Sequence, residues 1–221
     1  MKKIFLFLIL SLFLFGNASL TLAGDEEVIK LPAPQTDGGM PLMKALSLRK
    51  STRGGFGPAV KLTMQQISNM LWAADGINRP GTNHRTAPSA ADWQNIDIYV
   101  TTADGYYLYD PQAHALKVLG KEDIRSIAGS QDFVPGAPLN LIYVADYERA
   151  SFGGKRMKDT EVTWSFANTG FIAQNVYLWC ASENLACIVR AFADKDVIKK
   201  TLNLRPEQHF VLAQTIAQFE K

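Results

Sequence analysis

The stretch from about Thr160 to Glu183 constrains this chain more than any other. Its helical pattern is apolar nearly all round, through Phe166, Phe171, Ile172, Val176, Tyr177, Leu178 and Trp179. A surface helix carries a single apolar stripe, so a helix apolar on every side must be enclosed. It is either the centre of the fold or buried at a subunit interface.

The segments around it alternate in period. Pro41 to Arg49 reads as a helix with Leu42, Ala45, Leu46 and Leu48 on its apolar side. Thr63 and Gln66 form a capping box ahead of Ile67, Met70, Leu71 and Ala74, and Gly76 stops that helix. Ile77 to Ala91 is a loop carrying Arg79, His84 and Arg85. The period then changes to two at Ile96, Ile98 and Val100. Asp104-Gly105 turns the chain into Tyr106 to Tyr109, and Leu116 to Leu119 continues the meander. A short helix is expected near Glu122 to Ala128. Leu139 to Val144 is continuously apolar, as a strand covered on both faces would be. Tyr147 to Asp159 is a basic, glycine-containing loop with the character of a mobile lid. After the long helix come a strand Leu185 to Arg190, a helix capped by Asp194 and a last strand His209 to Ile216.

Lys2 and Lys3 precede an uninterrupted apolar run, Ile4 to Phe15, followed by small residues. This is the pattern of a secretory signal peptide, cleaved after Ala18 or Ala23. The run is shorter than the roughly 20 residues that span a bilayer core, which makes a retained membrane anchor the lesser reading. The expected organisation is a signal peptide over 1–23, a Pro/Gly-rich arm with little structure of its own over 24–39, and one domain over 40–221. A net charge of +2 without any Lys/Arg run argues against a nucleic-acid partner. His84, His114 and His209 lack metal-ligand spacing. Cys180 and Cys187 read as buried thiols; a helix end and the following strand give poor disulfide geometry.

The most informative tract is Arg49-Lys50-Ser51-Thr52-Arg53, at a helix end before a Gly-rich turn. Three cations and two hydroxyls in five residues suit a phosphate, because charge-assisted hydrogen bonds are strong and Arg binds bidentately. A solvated basic helix end complementing the dipole has the same composition. Order and context favour the phosphate. The tract is followed by Leu71-Trp72-Ala73-Ala74, Gly76-Ile77-Asn78-Arg79-Pro80, Arg85-Thr86-Ala87-Pro88-Ser89-Ala90 and an alternating strand. Farther along come Asn168-Thr169-Gly170-Phe171-Ile172-Ala173-Gln174-Asn175 and Leu212-Ala213-Gln214-Thr215-Ile216.

Together these tracts resemble the nitroreductase family, especially its branch of SagB-type thiazole/oxazole dehydrogenases, from about Met40 to the C-terminus. The resemblance implies an α+β fold of three layers, α/β/α, around a mostly antiparallel sheet, in an intertwined homodimer that binds FMN. Arg49, Lys50, Ser51 and Arg53 would contact phosphate or ribityl oxygens. Pro88, Ser89, Ala90, Asp92 and Gln94 would come from the second subunit, and the backbone N–H groups of Arg190 and Ala191 would lie near flavin N5. Donor and acceptor would exchange in turn, so no catalytic side chain is expected. The donor is NAD(P)H or, for an exported protein, an envelope redox partner; the acceptor is a small molecule such as a nitroaromatic or quinone.

Four positions depart from the family pattern. Ala191 and Ala217 stand where relatives have Gly, Gly54-Gly55 lengthens the turn by a residue, and Asp92 often corresponds to Asn. Ala191 and Ala217 motivate an alternative: a protein that keeps the fold and binds another ligand without redox catalysis.

Overall fold

The computed structural model describes residues 27–220, so the segment expected as a signal peptide lies outside the described residues. Among these residues the strands are β1 (Val28–Lys30), β2 (Ile96–Thr102), β3 (Gly105–Asp110), β4 (Ala115–Gly120), β5 (Leu139–Asp146), β6 (Ser151–Phe152), β7 (Lys155–Arg156), β8 (Ala186–Arg190) and β9 (Gln208–Ala217). The α-helices are α1 (Leu42–Leu48), α2 (Met64–Asp75), α3 (Glu161–Ser182) and α4 (Lys195–Thr201). Seven strands form one sheet in the order β1-β4-β3-β2-β5-β9-β8, and every pairing is antiparallel.

The continuously apolar run becomes β5, buried along its whole length between β2 and β9. Side chains alternate across a strand, so β5 feeds two cores. Leu141 and Tyr143 join Met70, Leu71, Ile172 and Val176 under α2 and α3. Ile142 and Val144 join Tyr99, Ile198, Leu202 and Ala128 under α4 and the 3-10 turn Arg125–Ala128. The result is the expected three-layer α+β architecture.

Local chemistry fixes the element ends. Thr63 caps α2 reciprocally with Gln66. Gly76 ends that helix at an ordinary negative φ; glycine is needed there because a Cβ would lie 2.5 Å from Trp72 Cδ1. Gly105 turns the β2–β3 hairpin at φ +144°, with Gly120 O 2.4 Å from where a Cβ would sit.

Several elements differ from expectation. The segment expected as an unstructured arm contributes β1 to the sheet edge and buries Leu31. The helix expected at 122–128 is only a 3-10 turn. The lid-like loop contains the β6–β7 hairpin, turned by Gly153 and Gly154 at positive φ. Arg156 holds its base to Glu161 (2.7 and 2.9 Å) and Glu207 (2.7 Å), so this segment is tied down. α1 buries only Ala45 and leaves Leu42 62% exposed. α3 is not apolar toward the core throughout: its first half buries Ser165, Asn168 and Thr169, while Phe166 and Phe171 are each 47% exposed. Cys180 and Cys187 are buried free thiols.

Candidate functional site

The basic tract leaves α1 and runs alongside the edge strand β8. Thr52 N donates to Cys187 O at 2.9 Å, and Cys187 N donates to Thr52 Oγ1 at 3.4 Å. Ser51 Oγ and Tyr177 Oη are hydrogen-bonded at 2.8 Å, and the same Tyr177 oxygen accepts from Val189 N at 2.8 Å. These bonds fix the tract while leaving its cations outside. Arg49 lies over the Tyr177 ring at 5.4 Å and Lys50 over Phe219 at 4.7 Å. Among the described residues, none of Arg49, Lys50 and Arg53 forms an ion pair with a carboxylate. Lys50 to Gly55, Phe219 and Glu220 line an open cleft of about 480 Å³. The C-terminal tail closes one side: Gly57 N donates to Gln218 O, and Glu220 N to Gly55 O. A Cβ on Gly57 would lie 2.4 Å from Phe219 O, so this approach requires glycine. Unpaired cations, hydroxyls and a glycine turn around an open cleft fit an anionic phosphate; among the described residues that line it, Glu220 is the opposing charge.

On β8, Cys187 and Val189 turn their backbone polar groups away from β9. Extending the two-residue period sets the Ala191 N–H on the same open edge. Arg190 instead faces the ladder opposite Ala213, and its side chain is buried. Of the two expected amides, that of Arg190 is turned into the ladder, and Ala191 follows the end of the strand. Ala217 is fully buried opposite Ala186, so its methyl lies within the ladder and out of the cleft.

Pro88, Ser89, Ala90, Asp92 and Gln94 form a second group. Ala90 N donates to Asn168 Oδ1 at 2.9 Å, placing this group beside the first half of α3. Tyr177, which marks the basic tract, lies farther along the same helix by roughly 13 Å of axial rise. One chain therefore does not bring the two groups together. Ala91, Asp92 and Gln94 all have positive φ (46°, 54° and 46°), a concentration of strain that the side chains hold in place. Gln94 N donates to Ser89 Oγ, and Gln94 Nε2 to Asp92 Oδ1. Phe152, Met157, Trp164 and Phe171 flank these residues in an open, apolar pocket of about 510 Å³.

Sequence reasoning missed the buried network that supports this turn: Asn168 Nδ2 donates to Asn95 Oδ1 at 2.9 Å, and Asn95 Nδ2 to Ser165 Oγ at 2.8 Å. It also missed Asp75, which pairs with Arg85 at 3.1 Å. Burial outweighs the attraction of Arg85 and pushes the Asp75 carboxyl up to about 7. Neither could be found from spacing, because each partner is far away in sequence or lies in a loop.

The structure is thus a three-layer α+β fold with a cationic cleft at its sheet edge. The Nitroreductase family profile matches residues 46–217, and the chain belongs to that family, which places it among oxidoreductases. A candidate nitroreductase of known structure from Ralstonia eutropha JMP134 is 40% identical, with 89% of this chain and 91% of that one covered and a TM-score of 0.81. The Escherichia coli microcin synthetase McbBCD complex, bound to truncated pro-MccB17, contains a chain sharing the fold at 20% identity, with 96% and 85% covered and a TM-score of 0.68. Nitroreductase CinD from Lactococcus lactis, in complex with nicotinic acid, shares it at 15% identity, with 82% and 91% covered and a TM-score of 0.57. No curated protein gives a significant sequence match.

Proposed function

We propose that this chain is an FMN-dependent oxidoreductase acting as a homodimer, akin to the SagB-type branch of its family. The unpaired cationic cleft beside β8 carries the reading. Arg49, Lys50, Ser51 and Arg53 hold the phosphate by charge-assisted hydrogen bonds. The Ala191 N–H faces the ring at N5, with Arg190 supplying the neighbouring backbone. Pro88, Ser89, Ala90, Asp92 and Gln94 of a second copy cover the ring, which accounts for the distance between the two groups within one chain. The exposed aromatic side of α3 and the leucines of α1 supply the apolar area that such a dimer buries. When bound, FMN would supply the two-electron chemistry of the reaction. The protein binds and orients it, and leaves one open face for donor and acceptor to occupy in turn.

The acceptor is a small molecule such as a nitroaromatic or quinone. The positively charged start and apolar run at residues 2–15 direct the mature chain out of the cytoplasm, over a boundary that NAD(P)H does not cross. The donor is then an envelope redox partner. Rapid, specific reduction of the purified protein by NADPH would remove that conclusion.

The exposed Ala191 methyl favours one other reading, a ligand-binding protein without redox activity. Visible absorbance of the mature protein separates the two. One bound flavin per subunit, lost on joint Arg49→Ala and Arg53→Ala substitution, supports the oxidoreductase. A colourless protein that ignores added FMN rejects it.

A further inference from the structure

Arg190 carries a charge that the fold does not neutralise. It is 6% exposed, and its guanidinium donates only to neutral oxygens: Thr215 Oγ1 at 2.8 Å, Ala128 O at 3.2 Å and Asn140 Oδ1 at 3.3 Å. Its Nε is buried without a partner, as is Gln131 Oε1 close by. Among the described residues no carboxylate pairs with it. Burial lowers its pKa to about 10, which still leaves it charged at neutral pH. Such a cation opposes folding, so its retention calls for a role.

Two connections lead from it to the cleft. Along the chain it lies between Val189, joined through the Tyr177 hydroxyl to Ser51, and Ala191 on the open edge. Through space, it sits over Phe133 at 5.6 Å, Phe133 stacks on Phe56 at 4.3 Å, and Phe56 follows the glycine turn that lines the cleft. Arg190 itself is buried beneath Phe133, so little water screens its charge. The Asp92 carboxylate, by contrast, is largely exposed and screened.

We propose that Arg190 is a tuning residue: its buried guanidinium holds positive potential at the β8 edge and stabilises the electron-rich, reduced cofactor there over the oxidised one. This rests on the FMN reading above. The experiment loads wild type, Arg190→Gln and Arg190→Lys with FMN, then measures the midpoint potential and the affinities for oxidised and reduced FMN. Gln keeps hydrogen-bonding capacity and removes the charge; the ratio of reduced to oxidised affinity falls about tenfold and the potential becomes more negative. The Lys variant falls between wild type and Gln, since a buried ammonium loses its proton more readily and cannot reproduce the guanidinium fork. If Arg190→Gln does not fold, Phe133→Leu keeps the charge but admits water, and the ratio shifts the same way by about threefold. Unchanged potentials in the folded variants overturn the inference alone, whatever their thermal stability. A wild type that binds no FMN is colourless before any variant is made, and overturns the proposed function with it.

Discussion

Over its second half, α3 buries Ile172, Ala173, Val176 and Cys180 against the sheet, as an amphipathic helix should. Over its first half it buries Ser165, Asn168 and Thr169 and turns Val162, Trp164 and Phe166 outward. The polar interior is stable because its groups find partners: Asn168 joins Asn95 and the Ala90 amide, Asn95 joins Ser165, and the Thr169 hydroxyl donates to Ser165 O. Of the aromatic exterior, Trp164 packs on Trp93 at 5.1 Å, while Phe166 and Phe171 stay half-exposed. One half of the helix builds the core, while the other positions a strained turn and leaves half-exposed apolar side chains on the surface.

The largest test of this difference is Phe166→Glu combined with Phe171→Glu. Both side chains are about half exposed and outside the core, so the subunit stays folded. On the dimer proposal, sedimentation velocity detects monomers and FMN affinity falls at least about tenfold, since each buried Phe is worth about 1.5–3 kcal/mol. A dimer that persists with its flavin returns these side chains to the free surface.

A smaller effect separates the two halves by their chemistry. Ile172→Ala leaves a cavity and costs about 2–5 kcal/mol in urea unfolding. Asn168→Ala costs about 1–3 kcal/mol by leaving the Ala90 amide and Asn95 unpaired. Only the second disturbs the turn at Ala91 to Gln94, visible as a local loss of amide-exchange protection around residues 89–95. Loss of protection there in Ile172→Ala as well would unite the halves into one cooperative unit.

The gentlest effect is a slope with pH, on the side where the second half of α3 meets α2 and Asn175 donates to Ala74 O. Asp75 follows Ala74, and burial raises its carboxyl from 3.8 to about 7 against the attraction of Arg85 and Arg149. The folded state thus keeps a proton that the unfolded state has lost. Stability falls as pH rises from about 4 to about 7, by at most about 1.4 kcal/mol per unit from this group. Asp75→Asn removes that slope in pH-dependent urea titrations; an unaltered slope places the proton elsewhere.

Much of the fold was legible because its signals are local. The capping box at Thr63, the alternation from Ile96, the apolar run of β5 and the Asp194 cap each depend on neighbours a few residues away. The basic tract at Arg49 to Arg53 was legible for the same reason. What escaped depended on distant partners. Leu42, Leu46 and Leu48 have the spacing of a core face, yet α1 buries only Ala45. Residues 28–30 have no strong strand pattern and gain their structure by pairing with Lys117, Leu116 and Ala115.

The sequence by itself determined most element types and the chemistry of the cationic tract, because hydrophobic period, capping and charge density are written in consecutive residues; the three-layer α+β class followed from the family that the order of its motifs resembles. Tertiary structure alone decided which way each surface faces. It turned the polar side of α3 inward onto Asn95, enclosed the guanidinium of Arg190 without a counter-charge, and set the basic tract and the strained turn at separate points along one helix. Burial and electrostatic environment are sums over atoms that meet only after the chain has folded, so no window of the sequence contains them.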